Sequence, residues 1–208
     1  MRRQRPFIAI AFVAVLASSA ATARSVTVEG ITFSDERGGF RVITASGHGT
    51  FDDPFVVVEE ITGPASAVLV IRGFTPEFGN RVGTYHPAGF ALRKIVTNRT
   101  RFVWNFVDFE LQQILGEPSD TFDGLSFGQG ATSGRPFTSD HFARASEVTE
   151  PLDYISFDDG VLRPGETATF DVIVTDTTPV FVFYLIQRPN RPVARAGKAA
   201  APGMSGSP

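Results

Sequence analysis

Apolar and polar residues alternate along the stretch that follows the tetrapeptide 163–166, Arg-Pro-Gly-Glu. That tetrapeptide is typical of a type II β-turn, because proline presets φ at the second position and glycine accepts a positive φ at the third. Beyond it, every second residue from Ala168 to Val174 is apolar, and most residues between them are polar. A period of two predicts a strand with one face on a core and the other in water.

Similar short runs, rich in Val, Ile, Phe and Thr and separated by Gly, Pro, Asn and Asp, occur along most of the chain. This pattern predicts an all-β fold, and we expect a single antiparallel β-sandwich, immunoglobulin-like in layout, with about nine strands. The predicted strands cover residues 25–34, 40–46, 55–62, 67–72, 90–98, 101–112, 153–157, 167–175 and 180–187.

The first 23 residues have the layout of a secretory signal peptide. Three arginines lie within residues 1–5, an apolar run extends over residues 7–17, and small residues end in Ala21-Thr22-Ala23. The apolar run is shorter than the about 20 residues that a membrane-spanning helix needs. We therefore expect an exported protein, periplasmic, cell-surface or extracellular, that has no membrane span once the signal is cleaved after Ala23.

Residues 24–188 are expected to form the sandwich domain, with a long loop segment at 116–150 that is rich in Gly, Ser, Thr, Asp and Pro. Residues 189–208 are rich in Pro, Ala, Gly and Ser and have no apolar pattern, which predicts a disordered basic tail. The 208 residues contain no cysteine. This excludes thiol nucleophiles, thiolate zinc sites and disulfides within them.

Charge is distributed unevenly along the chain. The 19 basic and 22 acidic residues give a net charge of −3, and removal of the three signal arginines leaves 16 basic residues and a net charge near −6. Four of those 16 and none of the acidic residues follow Gln187, so the body alone carries about −10. Nucleic-acid binding requires a cationic face, so this acidic body argues against nucleic acid as a partner.

Phenylalanine dominates the aromatic residues, with 20 Phe against three Tyr and one Trp. Sugar-binding surfaces usually employ Tyr and Trp, which combine a flat apolar face with a polar tip. The composition therefore favours a dry, packed core over a broad aromatic binding face.

The only tryptophan lies in the predicted strand 101–112, where both faces carry apolar residues. Alternation directs one set toward the inter-sheet core: Val103, Val107, Phe109 and Leu111. The opposite face carries Trp104, Phe106, Asp108 and Glu110. Two interpretations of this second set remain open. It forms either a small core covered by segment 116–150 or a ligand-binding platform.

Residues 124–128, Gly-Leu-Ser-Phe-Gly, match the G-x-S-x-G pattern of serine hydrolases. That motif requires a buried strand before the serine and a helix after it, whereas the residues on both sides here are typical of turns. A short strand between turn glycines is the other interpretation of Ser126. The three histidines, His48, His86 and His141, are far apart and lack metal-binding spacing.

Acidic residues recur in the predicted turns and suggest a calcium site, because calcium takes carboxylate and carbonyl oxygens from such loops. The candidate metal ligands are Asp120, Asp123, Asp158 and Asp159. No complete calcium-binding loop motif is present, and Asp and Gly are also what tight turns require. We therefore expect no obligatory cofactor and keep calcium as a possible ligand.

The last predicted strand, within residues 179–187, is apolar on both faces. Such a strand is either central in its sheet, under a covering segment, or an exposed edge used for assembly. An edge position would make strand addition from a neighbouring molecule the natural mode of association.

Residues 96–187 carry four short motifs in a fixed order. They are Val96-Thr97-Asn98-Arg99-Thr100, then Trp104 with Phe106, Phe109, Glu110 and Leu111, then Asp123-Gly124-Leu125-Ser126-Phe127, then Pro164-Gly165-Glu166 leading into Phe170-Asp171-Val172. With these motifs the chain resembles exported bacterial β-sandwich modules, found in proteins with a C-terminal Pro-Glu-Pro sorting tail; the 208 residues do not contain that tail motif. The resemblance implies an immunoglobulin-like secreted domain and no catalytic residues.

Three functional hypotheses follow from these patterns. The leading one is a non-enzymatic surface or extracellular-matrix protein that acts by contact with a protein partner or by self-association. The first alternative is a glycan-binding module, with polysaccharide as ligand and calcium as a possible aid. The second alternative is a hydrolase that uses Ser126 or two facing carboxylates.

Overall fold

The computed structural model describes residues 23–117, 123–128, 137–148 and 153–191, apart from the side chains of residues 147 and 148. Nearly all of the predicted signal peptide, the candidate ligand Asp120 and most of the predicted tail lie outside these residues. Within them the all-β prediction is confirmed, since they contain one short 3-10 turn, Pro76–Phe78, and no α-helix. No helix among them is long and apolar enough to cross a membrane.

Thirteen strands occur in the described residues, and they form two sheets. They are β1 Ser25–Val28, β2 Ile31–Ser34, β3 Phe40–Ser46, β4 Phe55–Ile61, β5 Ala67–Arg72, β6 Ala88–Asn98, β7 Val107–Gln112, β8 Leu125–Phe127, β9 Thr138–Ser139, β10 Phe142–Val148, β11 Tyr154–Gly160, β12 Thr167–Asp176 and β13 Val182–Pro189. The seven-stranded sheet has the order β1-β2-β5-β13-β7-β11-β10. The six-stranded sheet has the order β3-β4-β6-β12-β8, with β9 also paired to β12. Two sheets that share an apolar core are consistent with the predicted sandwich.

The prediction of a purely antiparallel sandwich is wrong at one place, because β4 and β6 pair in parallel. The chain leaves the six-stranded sheet after β4, runs back along the seven-stranded sheet as β5, and returns as β6. A single strand of the other sheet, running the opposite way, separates β4 from β6, so these two strands point the same way. The neighbouring ladders, β3 with β4 and β6 with β12, are antiparallel.

The structure has more strands than the about nine expected for an immunoglobulin-like layout. The predicted strand 25–34 is a hairpin, because Glu29 and Gly30 both take positive φ and reverse the chain between β1 and β2. Segment 116–150, predicted mainly as connections, contributes β8, β9 and β10. The predicted strand 101–112 is regular only from Val107 onward.

Strand directions place the connections at two ends of the sandwich. One end, here called the loop end, carries the turn 29–30, the loops 47–54, 73–87 and 177–181, and the described parts of 113–124. The other, here called the closed end, carries the connections 35–39, 62–66, 99–106 and 161–166. The last strand, β13, is central, since it pairs with β5 on one side and β7 on the other. The edge-strand interpretation of residues 179–187 is therefore wrong.

Phenylalanine fills the space between the sheets, as its abundance predicted. Nearer the closed end, the ring centroid of Phe170 lies 5.1 Å from that of Phe109 and 4.9 Å from that of Phe157. Toward the loop end, Phe90 lies 5.1 Å from Phe74. Aromatic pairs at these distances contribute about 0.5–1.5 kcal/mol each beyond their burial. The core is thus a continuous aromatic layer that fixes both sheets.

Candidate functional site

Trp104 lies at the closed end and is completely buried. Its backbone pairs with Leu162, and its indole Nε1 donates a hydrogen bond of 3.2 Å to the hydroxyl of Thr100. The strand alternation predicted for residues 101–112 fails here because regular pairing starts only at Val107, so Trp104 turns into the same core as Phe109. Both interpretations of Trp104, as part of a small core under segment 116–150 and as a ligand platform, placed it on the face opposite the inter-sheet core, and that placement is wrong.

Asn98 fastens the closed end around Trp104. Its Nδ2 donates to the backbone oxygens of Phe102 and Leu162, at 3.0 and 3.1 Å. Its Oδ1 accepts from both the backbone nitrogen and the hydroxyl of Thr100, at 2.9 and 2.6 Å. Asn98 is fully buried, and all four hydrogen-bonding positions of its amide are satisfied, which identifies a structural role.

The remaining residues of the predicted platform do not form one surface with Trp104. Asp108 and Glu110 lie on the outer face of β7 but are buried there. Asp108 accepts a hydrogen bond of 2.7 Å from Ser156, while Glu110 forms an ion pair with Arg188. Phe106 is partly buried, and its backbone oxygen accepts a hydrogen bond from the backbone nitrogen of Asn190. Both carboxylates already have partners that hold β7 to its neighbours.

The predicted calcium ligands are not brought together either. Asp123 lies at the loop end, where its Oδ1 accepts a hydrogen bond from the backbone nitrogen of Leu125. Asp158 and Asp159 lie at the far end of β11, and Asp158 forms an ion pair of 2.5 Å with Arg144. In the part of the chain that the structure describes, no three metal-binding side chains cluster. Asp123 thus lies at the opposite end of the sandwich from Asp158 and Asp159.

Ser126 lies in the middle of β8, where it pairs with Thr175 of β12. A nucleophile elbow would place the serine at a turn between strand and helix. His48 is paired with Asp53 at the loop end, and the Nδ1 of His141 lies 2.8 Å from Asp140 at the closed end. None of the described histidines forms a hydrogen bond with Ser126 in the structure. The strand interpretation of residues 124–128 agrees with this geometry.

Large apolar side chains are exposed mainly at the loop end, a feature that the sequence interpretation missed. Tyr85 is 91% exposed, Phe181 63%, Ile114 59% and Phe51 47%. At the closed end, the corresponding residues are Val103 at 39% and Val161 at 40%. Each of the four loop-end residues lies outside a strand, in a stretch rich in Gly, Pro, Asp or Thr. An aromatic residue in such a stretch was the signal available in the sequence.

The longest of these loops, 73–87, is held in shape by Asn80. Its Oδ1 accepts hydrogen bonds from the backbone nitrogens of Val82 and Thr84, at 2.9 and 3.3 Å. Its Nδ2 donates to the backbone oxygen of His86 at 2.8 Å. Because the residues on both sides of Tyr85 are anchored in this way, its side chain is presented from an organised loop.

Arg81 connects the loop 73–87 to its neighbours. Its guanidinium carbon lies 4.0 Å from the ring centroid of Phe78, a cation–π contact. Its NH1 donates a hydrogen bond of 2.7 Å to the backbone oxygen of His48. The pKa of His48 is raised, chiefly by its hydrogen bond to Asp53 and then by the charges of Asp53 and Glu29. The loop 73–87, the loop 47–54 and the turn 29–30 thus meet around Arg81.

The other half of the loop end is tied together by backbone and hydroxyl groups. The backbone nitrogen of Gly73 donates to the oxygen of Phe181 at 2.8 Å. The oxygen of Asp123 accepts from Thr178 at 2.8 Å and from the side chain of Gln113 at 2.6 Å. Gly73, at φ +91°, leaves no room for a side chain, since a Cβ would lie 2.1 Å from the oxygen of Gly30. The loop end is therefore a pre-organised surface.

A second group of polar residues is buried between the sheets. Lys94 and Glu59 are both fully buried, and Lys94 Nζ lies 2.8 Å from Glu59 Oε2. Gln187 of the opposite sheet is also fully buried. Charged groups in an apolar core carry a large desolvation cost and are uncommon without a specific reason.

Comparisons with protein-family models, with curated proteins and with solved structures find no match for this chain. Function therefore rests on the geometry of the described residues. Two features stand out in them: the exposed apolar residues of the loop end, and the buried polar group between the sheets.

Proposed function

We propose that this protein is an exported, non-enzymatic β-sandwich that acts by protein–protein contact, and that the loop end is its contact surface. The observation that carries the proposal is the exposure of Tyr85, Phe181, Ile114 and Phe51 on hydrogen-bonded loops at one end. Soluble proteins seldom expose several large apolar side chains together unless they serve an interface. Aromatic residues are also enriched at the centres of such interfaces.

The chemical mixture at the loop end favours protein over glycan as the partner. Of the four exposed residues, only Tyr85 combines a flat apolar face with a polar tip, as sugar-binding residues do. Ile114, Phe51 and Phe181 offer apolar area without hydrogen-bonding groups. Such a surface is complementary to apolar side chains of another protein.

Charge supports a second copy of the chain as that partner. Acidic residues accompany the apolar residues of the loop end: Asp52, Glu77 and Glu117, together with Glu29 and Asp53, which lie against Arg81 and His48. The chain leaves β13 at the closed end, where Asn190 contacts Phe106 and Arg191 is exposed, and the sequence beyond contains two further basic residues, Arg195 and Lys198, and no acid. Head-to-tail association would bring Arg191 toward the acidic residues of the loop end, and heterologous contacts of this kind extend into chains of molecules.

The immunoglobulin-like layout and the export of the chain are part of the same proposal. Two packed sheets with functional loops at one end support the former. The arginine-led apolar segment that ends in Ala21-Thr22-Ala23 supports the latter. An exported location would place the loop end where other envelope or matrix molecules can reach it.

Sedimentation velocity over a wide concentration range tests the contact. We expect the sedimentation coefficient of the mature chain to rise with concentration, and the rise to weaken as salt screens the charges. The double variant Tyr85→Ser, Phe181→Ser should remain monomeric, whereas the control Val161→Ser at the closed end should associate like the unmodified chain. The proposal fails if the unmodified chain stays monomeric throughout, or if the double variant associates equally well.

A further inference from the structure

Three polar side chains from three different strands meet inside the aromatic core. Glu59 comes from β4 and Lys94 from β6, both in the six-stranded sheet, and Gln187 comes from β13 in the seven-stranded sheet. All three are fully buried. Each belongs to the inward-facing set of its strand, as the neighbouring core residues two positions away show: Val57, Leu92 and Leu185.

The side chain of Lys94 crosses the gap between the sheets. Its Nζ lies 5.8 Å from the ring centroid of Phe109, a residue of β7 in the seven-stranded sheet. Phe109 is the register partner of Gln187, and side chains of directly paired residues have Cβ atoms about 4.5–5.5 Å apart. The amine of Lys94 therefore reaches the part of the core that Gln187 also lines.

Glu59 is the common neighbour of the other two groups. Its Oε2 accepts a hydrogen bond of 2.8 Å from Lys94 Nζ. Its Oε1 has no hydrogen-bond partner, and Gln187 lies close enough to lower the pKa of the carboxyl group, against the dominant effect of burial. One carboxyl group thus stands between an amine and a primary amide.

The amide of Gln187 has no structural explanation of the kind that Asn98 has. Neither Oε1 nor Nε2 of Gln187 forms a hydrogen bond of normal geometry, although both atoms are buried and the amide lies beside the carboxyl group of Glu59. Asn98, also fully buried, satisfies all of its amide positions. An unpartnered buried amide costs about 1–3 kcal/mol of stability relative to a satisfied one. A chemical role for this amide would account for its presence.

We propose that Lys94 and Gln187 react inside the folded protein to form an isopeptide bond that joins the two sheets, with Glu59 as the proton carrier. The inference is independent of the contact proposed for the loop end. It assigns a self-modification site to three polar groups that are buried in an apolar core.

The reaction is a transamidation and needs no co-reactant. The lone pair of the neutral Lys94 amine attacks Cδ of Gln187, so a new C–N bond forms and the carbonyl electrons move to Oε1. Glu59 accepts a proton from Nζ and delivers a proton to Nε2. The bond from Cδ to Nε2 then breaks and ammonia leaves. The products are a secondary amide and one ammonia molecule, and Glu59 returns to its starting state.

The core favours the reactive protonation states. Burial lowers the pKa of the Lys94 ammonium group, against the attraction of Glu59. Burial also raises the pKa of the Glu59 carboxyl group, against the charge of Lys94. Both shifts favour a neutral amine beside a neutral carboxylic acid over an ion pair. A neutral amine is the nucleophilic form of lysine, and a neutral acid can donate to the carbonyl that is attacked.

The position of the bond gives it a mechanical consequence. Lys94 belongs to the central part of the six-stranded sheet and Gln187 to a central strand of the other sheet. A covalent link between them would prevent the sheets from separating, as a disulfide does in many exported domains. The 208 residues contain no cysteine that could supply such a link.

Intact-mass spectrometry of the purified, folded mature chain tests the proposal. We expect the mass to be lower than that of the unmodified sequence by one ammonia, and a protease digest to contain a branched peptide that joins Lys94 to Gln187. A chain with the full sequence mass would overturn the proposal. So would a loss of water with Lys94 joined to Glu59, or a loss of ammonia without the branched peptide.

Matched variants identify the reacting groups. Gln187→Leu replaces a buried amide by an apolar side chain of similar size and should fold, yet it should keep its full mass. Glu59→Gln should keep its full mass as well, because it removes the proton carrier. The control Gln113→Leu, which changes a glutamine at the loop end, should lose ammonia like the unmodified chain. Loss of ammonia from Gln187→Leu, or its absence from Gln113→Leu, would contradict the assignment.

Discussion

Aromatic residues are buried at the closed end of the sandwich and exposed at the loop end. At the closed end, Trp104 is completely buried, its indole nitrogen has a partner, and Asn98 fastens the surrounding turns with four hydrogen bonds. At the loop end, Tyr85 and Phe181 project into solvent from loops that are just as firmly hydrogen-bonded.

This difference indicates that the closed end stabilises the fold, whereas the loop end is available for binding. Hydrogen bonds at the closed end surround an aromatic side chain that packs in the core, so they stabilise the fold. Hydrogen bonds at the loop end hold aromatic side chains away from the core, where they add nothing to its packing. Order without burial is what a pre-organised binding surface requires, because it reduces the entropy lost on association.

The largest effect is expected from truncation of Trp104. Trp104→Ala should lower the free energy of unfolding by about 3–5 kcal/mol, because it leaves a cavity in a packed core and deprives Thr100 of its indole partner. Tyr85→Ala, the matched truncation at the loop end, should change it by less than about 0.5 kcal/mol. Urea denaturation of the two variants measures both values. Equal losses would erase the distinction between the ends.

The two structural asparagines sharpen the same comparison. Asn98→Ala should cost about 2–4 kcal/mol, since it leaves buried carbonyl and amide groups of the closed end without partners. Asn80→Ala should cost about 1 kcal/mol and act locally, because solvent can reach the groups it releases. Denaturation gives the global values, and hydrogen exchange should show faster exchange confined to the loop 73–87 in Asn80→Ala. Faster exchange throughout the sheets of that variant would contradict a local role.

Stability at the loop end should also depend on pH through Asp176. Burial raises the pKa of this carboxyl group to about 6, and the charge of Asp123 adds to the rise, while the hydrogen bond from Thr178 opposes it. The folded protein therefore binds more protons than the unfolded chain between pH about 4 and about 6, so the free energy of unfolding decreases as pH rises through this range. The decrease should be at most about 2 kcal/mol after allowance for solvent screening.

Urea denaturation in buffers that span this pH range measures the Asp176 contribution. Asp176→Asn should remove it from the pH dependence. Asp171→Asn is a control on the same strand, at a residue that forms an ion pair with Arg93, and should retain it. An unchanged pH dependence in Asp176→Asn would show that another group is responsible.

The exposed aromatic residues of the loop end should contribute least to the free energy of unfolding and most to association. The double variant Tyr85→Ser, Phe181→Ser should change the free energy of unfolding by less than about 1 kcal/mol, because both side chains are already in water. It should nevertheless abolish concentration-dependent association. Denaturation and sedimentation of one sample measure both quantities. A large loss of stability would mean that these side chains contribute to packing after all.

Alternation along the chain predicted the strands well where the strands are regular. It placed Phe170 and its neighbours of β12 in the core, and it gave β3 its observed bounds. It failed at residues 101–106, because side chains alternate between two faces only where the backbone is extended and paired, and regular pairing begins at Val107. Trp104 was assigned to the wrong face for that reason.

The parallel pair β4–β6 and the loop end could not be predicted from local pattern, since both depend on how strands are distributed between the sheets. The buried polar group is a different case. Strict alternation with Val57, Leu92 and Leu185 already directs Glu59, Lys94 and Gln187 inward. The period of two therefore predicted that these three side chains are buried, but the prediction was not made because the residues are polar.

Hydrogen exchange of the mature chain at low and high concentration tests most directly whether the loop end is the contact surface. The account predicts that amides in the loops 47–54, 73–87 and 177–181 exchange more slowly at high concentration, while those of the closed-end connections 99–106 and 161–166 are unchanged. Slower exchange at 99–106 and 161–166, with the loop end unaffected, would contradict it.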